Sequence, residues 1–339
     1  MKKLLFTIAF AALMTGFSSV NAQSTLKIVN RIQLPGEGSW DKVVVDEVNA
    51  HVFVSHGKQI HVVDIKTGNA NTSIPVSEGI HGIAIANELN KGFISNPHDT
   101  SVIVFDLKTL EIVKEFKING LLTVALLYDP FSQKIFAFNE GSRNANVVDA
   151  REYRIIGSIA LDGKPSDAVS DSYGRIYVSI RDKNAINVIN TMTLQREKRW
   201  ELAPGESPTG LAYDSKSQRL FTACSNNWLM ILDVLSGRIV TRLPIGNLCE
   251  GLAFDPEKQL IYCANGEGNI TVVQEDANNS FRVIESFPTA SGASTIAIDT
   301  TTHHLYLPAS DNPGAPTEGN SIPENRRPAI QLLDIEPVK

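Results

Sequence analysis

Short apolar runs alternate with clusters of Gly, Asn, Asp, Pro and Ser along almost the whole chain. One phrase shows the pattern plainly. Gly210-Leu211-Ala212-Tyr213-Asp214 is followed by Leu220-Phe221-Thr222-Ala223 and then by Leu229-Met230-Ile231-Leu232-Asp233. The runs are too short for helices and rich in β-branched and aromatic residues, as strands require. The clusters between them are the residues that make tight turns. No sustained 3.6-residue apolar periodicity follows residue 22, so the pattern predicts few helices.

The phrase recurs seven times. The polar or small residue that ends each first run stands at Asp46, Ala86, Asp129, Asp171, Asp214, Asp255 and Asp299, at spacings of 40 to 44 residues. An aromatic follows each anchor by six or seven residues: Phe53, Phe93, Phe136, Tyr177, Phe221, Tyr262 and Tyr306. The third runs close on Asp64, Asp106, Asp149, Asn190, Asp233, Gln274 and Asp334, and a fourth run follows each except the last. A repeat of this length with four short strands is the sign of a propeller blade. The expected fold is all-β: a seven-bladed β-propeller with four antiparallel strands per blade, blades starting near residues 39, 79, 121, 164, 206, 247 and 292 of a single 23–339 domain. The last repeat lacks its outer strand because the chain ends five residues after Asp334. A matching run, Leu26 to Leu34, sits at the start instead. It is expected to close blade seven, joining the chain ends and covering an edge that would otherwise invite aggregation.

Residues 1–22 stand apart. Lys2 and Lys3 precede an apolar run from Leu4 to Phe17, and Val20-Asn21-Ala22 offers small residues for cleavage. This predicts a secretory leader, a periplasmic or secreted mature protein, and no membrane span, because the apolar run is too short. The formal net charge of −6 becomes more negative once the leader lysines leave, which argues against general binding of nucleic acid. The odd count of three cysteines leaves at least one thiol free in a monomer, the expected state. Cys224 and Cys249 fall on the same face of adjoining blades, so a bond between them is one reading; three buried, inert thiols is the other.

Two segments resemble a known family. Phe93-Ile94-Ser95-Asn96 with Ser101-Val102-Ile103-Val104-Phe105-Asp106, and Tyr177-Val178-Ser179 with Asn184-Ala185-Ile186-Asn187-Val188-Ile189-Asn190, resemble the YVTN-type β-propeller repeat over about residues 26–337. The chain looks like a member of the YncE-like periplasmic group. The resemblance implies the architecture and leaves function open, because relatives of the repeat serve as surface-layer modules, as propeller subunits of quinoprotein amine dehydrogenases, and as folds similar to sugar-lactone hydrolases. No WD dipeptide ends the third runs, and no tryptophan-docking repeat is present.

The register assigns loops to faces. First-to-second and third-to-fourth turns lie on one face, the bottom; second-to-third loops and blade-to-blade links lie on the other, the top. The anchor aspartates and those ending the third runs then fall at bottom turns, where a short acceptor caps a hairpin. They are expected to be structural. His303 and His304 fall in a bottom turn too, and Trp200 in an outer strand, where it is expected to pack.

Five residues before each anchor, at the top rim of the channel, stand Asp41, His81, Val124, Ser166, Thr209, Glu250 and Ser294. Asp41, His81 and Glu250 are the ionisable ones. Converging oxygen and imidazole ligands could hold a divalent cation in the central channel; without one, His81 and Glu250 or Asp41 could transfer a proton. Around this rim the loops offer Trp40, His56, Asn96, Asn139, Arg143, Arg181, Trp228 and Asn265 as candidate ligand contacts. Arg143 and Arg181 could clamp a carboxylate or phosphate, and Trp40 or Trp228 could offer a stacking face. An insertion at residues 310–327, rich in Pro and Gly, projects from the top of blade seven as a lid, a partner-binding loop or a spacer. Two functions compete: a module binding a small molecule or a protein partner on its top face, and a metal-dependent hydrolase of lactone-like substrates.

Overall fold

The computed structural model describes residues 24–36, 40–76, 80–96, 99–276, 280–310 and 330–338. The expected leader (1–22) and all of the blade-seven insertion after Ser310 lie outside them. Seven four-stranded antiparallel sheets form a ring. Blade five is representative: Pro208–Asp214, Arg219–Cys224, Trp228–Asp233 and Ile239–Pro244 pair in sequence order, innermost to outermost. Two single 3-10 turns, Asn87–Leu89 and Arg181–Lys183, are the helical elements among the described residues.

Each blade is a sheet buried on both faces, so its middle strands are apolar nearly throughout. Lys134–Asn139 and Leu260–Asn265 each bury five of their six residues. The core is therefore divided into seven clusters, one between each pair of neighbouring blades. The recurring aromatic explains this division. Phe53, Phe93, Phe136, Tyr177, Phe221, Tyr262 and Tyr306 are 0–2% exposed, and each belongs to the cluster its blade shares with the next. Full burial of such a side chain contributes about 1.5–3 kcal/mol. Trp200, from an outer strand, stacks on Tyr177 at a centroid distance of 5.5 Å, so its place is in packing.

The chain closes as its pattern predicts. Leu26–Leu34 pairs antiparallel with Ile330–Pro337, from Leu26 opposite Pro337 to Leu34 opposite Ile330, as the outer strand of blade seven. It also enters two cores. Leu26 packs between blades six and seven, and Ile32 and Leu34 between blades seven and one.

The bottom turns have the caps expected of them. Asp46, Asp129, Asp214, Asp255 and Asp299 accept backbone N–H bonds from residues two or three further on, and so do Asp64, Asp106, Asp149 and Asp233. Asp334 differs: it accepts from His304 Nδ1 at 2.6 Å. His303 turns instead to Asp255, at 2.7 Å, so the neighbouring rings serve different carboxylates.

A disulfide between Cys224 and Cys249 is not formed. All three thiols are free and buried, and these two lie in different inter-blade cores, Cys249 sharing its core with Cys263. Burial pushes the Cys224 thiol up to about 12, which leaves it unreactive.

Closure sets a prediction. Leu34→Ala should lower unfolding stability by about 2–4 kcal/mol, because Leu34 is buried at the blade-seven seam. Lys27→Ala, on the same strand but in an exposed pair with Glu336, should change it by less than about 1 kcal/mol. Urea denaturation curves measure both.

Candidate functional site

The innermost strands do not run straight to the top of the ring. In five of seven blades their pairing slips near the start: between Trp40 and Val43, Thr123 and Ala125, Pro165 and Ala168, Pro208 and Leu211, and Cys249 and Gly251. Such bulges re-aim side chains and end regular pairing. Here they turn the rim residues into the channel. Asp41, His81, Val124, Ser166, Thr209 and Glu250 line one cavity of about 400 Å³, and Thr295, next to the expected Ser294, represents blade seven. His56, at the end of a second strand, and the top-face loop residues Gly57, Glu140 and Arg181 also line it.

The cavity also takes in two charged residues that the spacing had not singled out, Lys42 and Asp167. The position after each rim residue holds Lys42, Gly82, Ala125, Asp167, Gly210, Gly251 and Thr295. Most of these are small because the next blade lies close. A Cβ on Gly210 would stand 2.7 Å from the Glu250 carbonyl oxygen, and one on Gly251 2.8 Å from the Ile296 amide nitrogen. Lys42 and Asp167 break this small-residue column, and they meet: Lys42 Nζ lies 3.3 Å from Asp167 Oδ1. Blades one and four are three steps apart in a ring of seven, so this ion pair spans the channel. Asp167 also accepts the Leu211 backbone N–H at 3.1 Å, which ties the bar to blade five. Burial alone would lower the Lys42 pKa, but the Asp167, Asp41 and Glu250 carboxylates more than offset it, so the ammonium is held above its ordinary range. The signal was present in the sequence: two opposite charges in a column otherwise of Gly, Ala and Thr.

Hydroxyl groups fix the rim. Thr209 Oγ1 donates to the Cys249 carbonyl at 2.7 Å, Ser179 to Thr209 at 2.9 Å and Thr295 to Asp41 at 2.6 Å, each from one blade to the next.

Of the three residues proposed for a cation, Asp41 and His81 meet through Oδ2 and Nδ1. Glu250 is turned aside and accepts from the Ser294 hydroxyl at 3.0 Å. Among the described residues no group of three His, Cys, Asp or Glu side chains is placed to hold a metal ion. Asp41, His81 and Glu250 therefore do not come together at one point.

Three of the eight candidate contact residues, Trp40, His56 and Arg181, line the cavity. The other five sit elsewhere. Asn96, Asn139 and Asn265 end second strands and are buried. Asn96 donates to Asp99 and Glu115 at 3.2 and 3.3 Å. Asn139 bonds Asn144 and Asn146, both at 3.0 Å, and Asn265 bonds Asn269 and Thr271 at 2.6 and 2.9 Å. Arg143 pairs with Asp182 at 3.6 Å, so the two-arginine clamp is not assembled. Trp228 lies under the Arg242 guanidinium, 4.5 Å from the ring centroid.

On the strands beside Trp40, which pairs with His56, His56 and His61 are buried side by side, with Nδ1 of the first 3.0 Å from Nε2 of the second. Burial, then the His56 ring, lower the His61 pKa from 6.5 to about 4. His81 moves the other way: its bond to Asp41 raises it above 6.5, against the effect of burial. The signs differ in consequence. The unfolded chain protonates His61 more readily between pH 6.5 and 4, so its contribution is present above that window and is lost as pH falls through it. The His81 contribution is full below pH 6.5 and is lost as pH rises through the raised folded value.

NMR titration of the ring Cε1 protons checks this. His61 should remain neutral at pH 5.5, and His81 should titrate above pH 6.5. Asp41→Asn should move the His81 value down and leave that of His61 in place. The channel bar is tested by stability. Asp167→Ala removes both the pair and the Leu211 bond and should cost about 2–3 kcal/mol, whereas Lys42→Met should cost about 1–2 kcal/mol. Thermal and urea unfolding of the two single variants and the double variant separate the terms.

No protein-family model matches the chain. Two curated relatives, both named "Uncharacterized protein YncE", come from Salmonella typhi and from Salmonella typhimurium strain LT2. Each is 25% identical over 185 residues, covering 49% of this chain and 52% of the relative. The chain thus spans about half the length of the curated relatives it matches. Among solved structures, "Kuenenia stuttgartiensis Hydrazine Synthase" superposes with a TM-score of 0.72 at 14% identity, covering 81% of this chain and 93% of that one. "Crystal Structure of Mitotic Checkpoint Complex" gives 0.77 at 11% with full coverage of both chains, and "Crystal structure of RRP9 WD40 repeats" gives 0.74 at 8%, covering 92% and 98%. At these identities the likeness is one of fold.

Proposed function

We propose that this chain, a YncE-like seven-bladed β-propeller, is a non-catalytic binding module that takes a small molecule or a protein segment in the cup at the top of its channel. The observation that carries this reading is convergence. Rim residues from six blades and Thr295 from the seventh line one cavity, and the Lys42–Asp167 bar crosses the channel there. A pocket of this volume with a few fixed polar groups is the usual form of a small-molecule site. Trp40 supplies an aromatic wall and Arg181 a cationic one.

The hydrolase reading asks for three donors at one point, and Glu250 does not join Asp41 and His81. That favours binding over metal-assisted hydrolysis. The leader expected at residues 1–22 supports a periplasmic or secreted location. The acidic balance supports a partner other than nucleic acid. No helix among the described residues is long and apolar enough to cross a membrane. The protein acts as a monomer in this reading.

Thermal-shift screening of a metabolite library tests it. A ligand at a thousand times its Kd should stabilise the fold by about 4 kcal/mol. Trp40→Ala should abolish the shift and Trp228→Ala should preserve it, since only Trp40 faces the cup. EDTA should leave the melting temperature unchanged. Binding that survives Trp40→Ala and Arg181→Ala together would place the site elsewhere.

A further inference from the structure

The charges of the cup fall into matched pairs. Lys42 meets Asp167 at 3.3 Å, Lys164 meets Glu140 at 2.9 Å, and His81 meets Asp41. Just outside it Arg143 meets Asp182 at 3.6 Å. Two charged residues of the wall stand out. Arg181, exposed in the second-to-third loop of blade four, has no ion pair among the described residues. Glu250, exposed at the rim of blade six, forms no ion pair among them; its side chain accepts from the Ser294 hydroxyl, and its charge acts on Lys42 only at longer range. Both line the same cavity, two blades apart.

We infer that the cup is built for a zwitterion, a molecule of the amino-acid or short-peptide class, whose carboxylate is taken by Arg181 and whose ammonium is taken by Glu250. This rests on the binding reading above and narrows it to a ligand class. The chemistry follows from the two groups. A guanidinium presents a planar fork that matches a carboxylate bidentately. A carboxylate is an acceptor for the N–H bonds of an ammonium. The neighbouring charged groups already face one another, which leaves Arg181 and Glu250 as the two of the wall without an ion pair among the described residues. A purely anionic ligand would meet Glu250 unpaired, and a purely cationic one would meet Arg181 unpaired; such mismatches reject the wrong partner. Trp40, Ile80, Leu122 and Val124 line the same cavity and give an apolar side chain of the ligand a surface to cover.

Titration calorimetry with four probes tests this: L-leucine, L-leucyl-L-leucine, N-acetyl-L-leucine without the ammonium, and L-leucinamide without the carboxylate. At least one zwitterion should bind ten times more tightly than either blocked probe. Arg181→Ala should erase the preference over L-leucinamide, and Glu250→Gln the preference over N-acetyl-L-leucine. Both side chains are exposed, so melting temperatures should stay near that of the parent. The inference falls if a blocked probe binds as tightly as the zwitterions, or if neither variant alters selectivity. It also falls if none of the four binds while another library compound shifts the melting temperature, and the binding reading then stands. If no compound of any kind binds, both fall.

Discussion

One aromatic side chain per blade, caught between its own sheet and the next, is the contact on which the structure depends. A propeller blade cannot bury both faces by itself. Each face needs a neighbour, and the neighbour needs another, until the ring closes. Phe53, Phe93, Phe136, Tyr177, Phe221, Tyr262 and Tyr306 repeat that contact at all seven junctions. The seventh junction differs, because two ends of the chain must meet there. The pairing of Leu26–Leu34 with Ile330–Pro337 makes it continuous, and Leu34 and Ile32 fill the core beside blade one. Loss of that strand would expose an unpaired sheet edge and open two cores at once.

The same close packing shapes the channel. Innermost strands crowd toward the axis, so their rim positions are small or bulged, and glycines such as Gly210 and Gly251 let the next backbone approach. Lys42 has room to reach across because the position after the rim residue is small in most other blades. Its ammonium meets Asp167 from blade four, and the mouth becomes a cup with a charged floor. Two histidines respond to pH in opposite ways. His61, buried against His56, resists protonation, while His81, facing Asp41, favours it. Environment, not residue type, sets the difference.

Legibility from sequence varied with the kind of residue. The blade repeat, the closing strand, the bottom-turn aspartates and the rim ring were readable because each recurs at a fixed spacing, and spacing maps onto place in a repeat architecture. Candidates drawn by chemical type fared differently. Asn96, Asn139 and Asn265 look like ligand contacts but occupy one structural column at the ends of second strands, where their amides satisfy buried hairpins. Recurrence across three blades was itself the sign of a structural role. Lys42 and Asp167 carried the opposite sign, a departure from a small-residue column, one position away from the residues read.

The sequence by itself determined the ring: the number of blades, the face each loop occupies, and the strand that locks first blade to last. These are consequences of periodicity, and periodicity is local. Only the tertiary structure decided which side chains meet across the axis. The Lys42–Asp167 bar joins residues 125 positions apart, and Glu250 turns to Ser294 instead of to Asp41 and His81. Such encounters depend on bulges of one or two residues and on rotamer choices within a crowded channel, quantities that a spacing of forty residues does not encode.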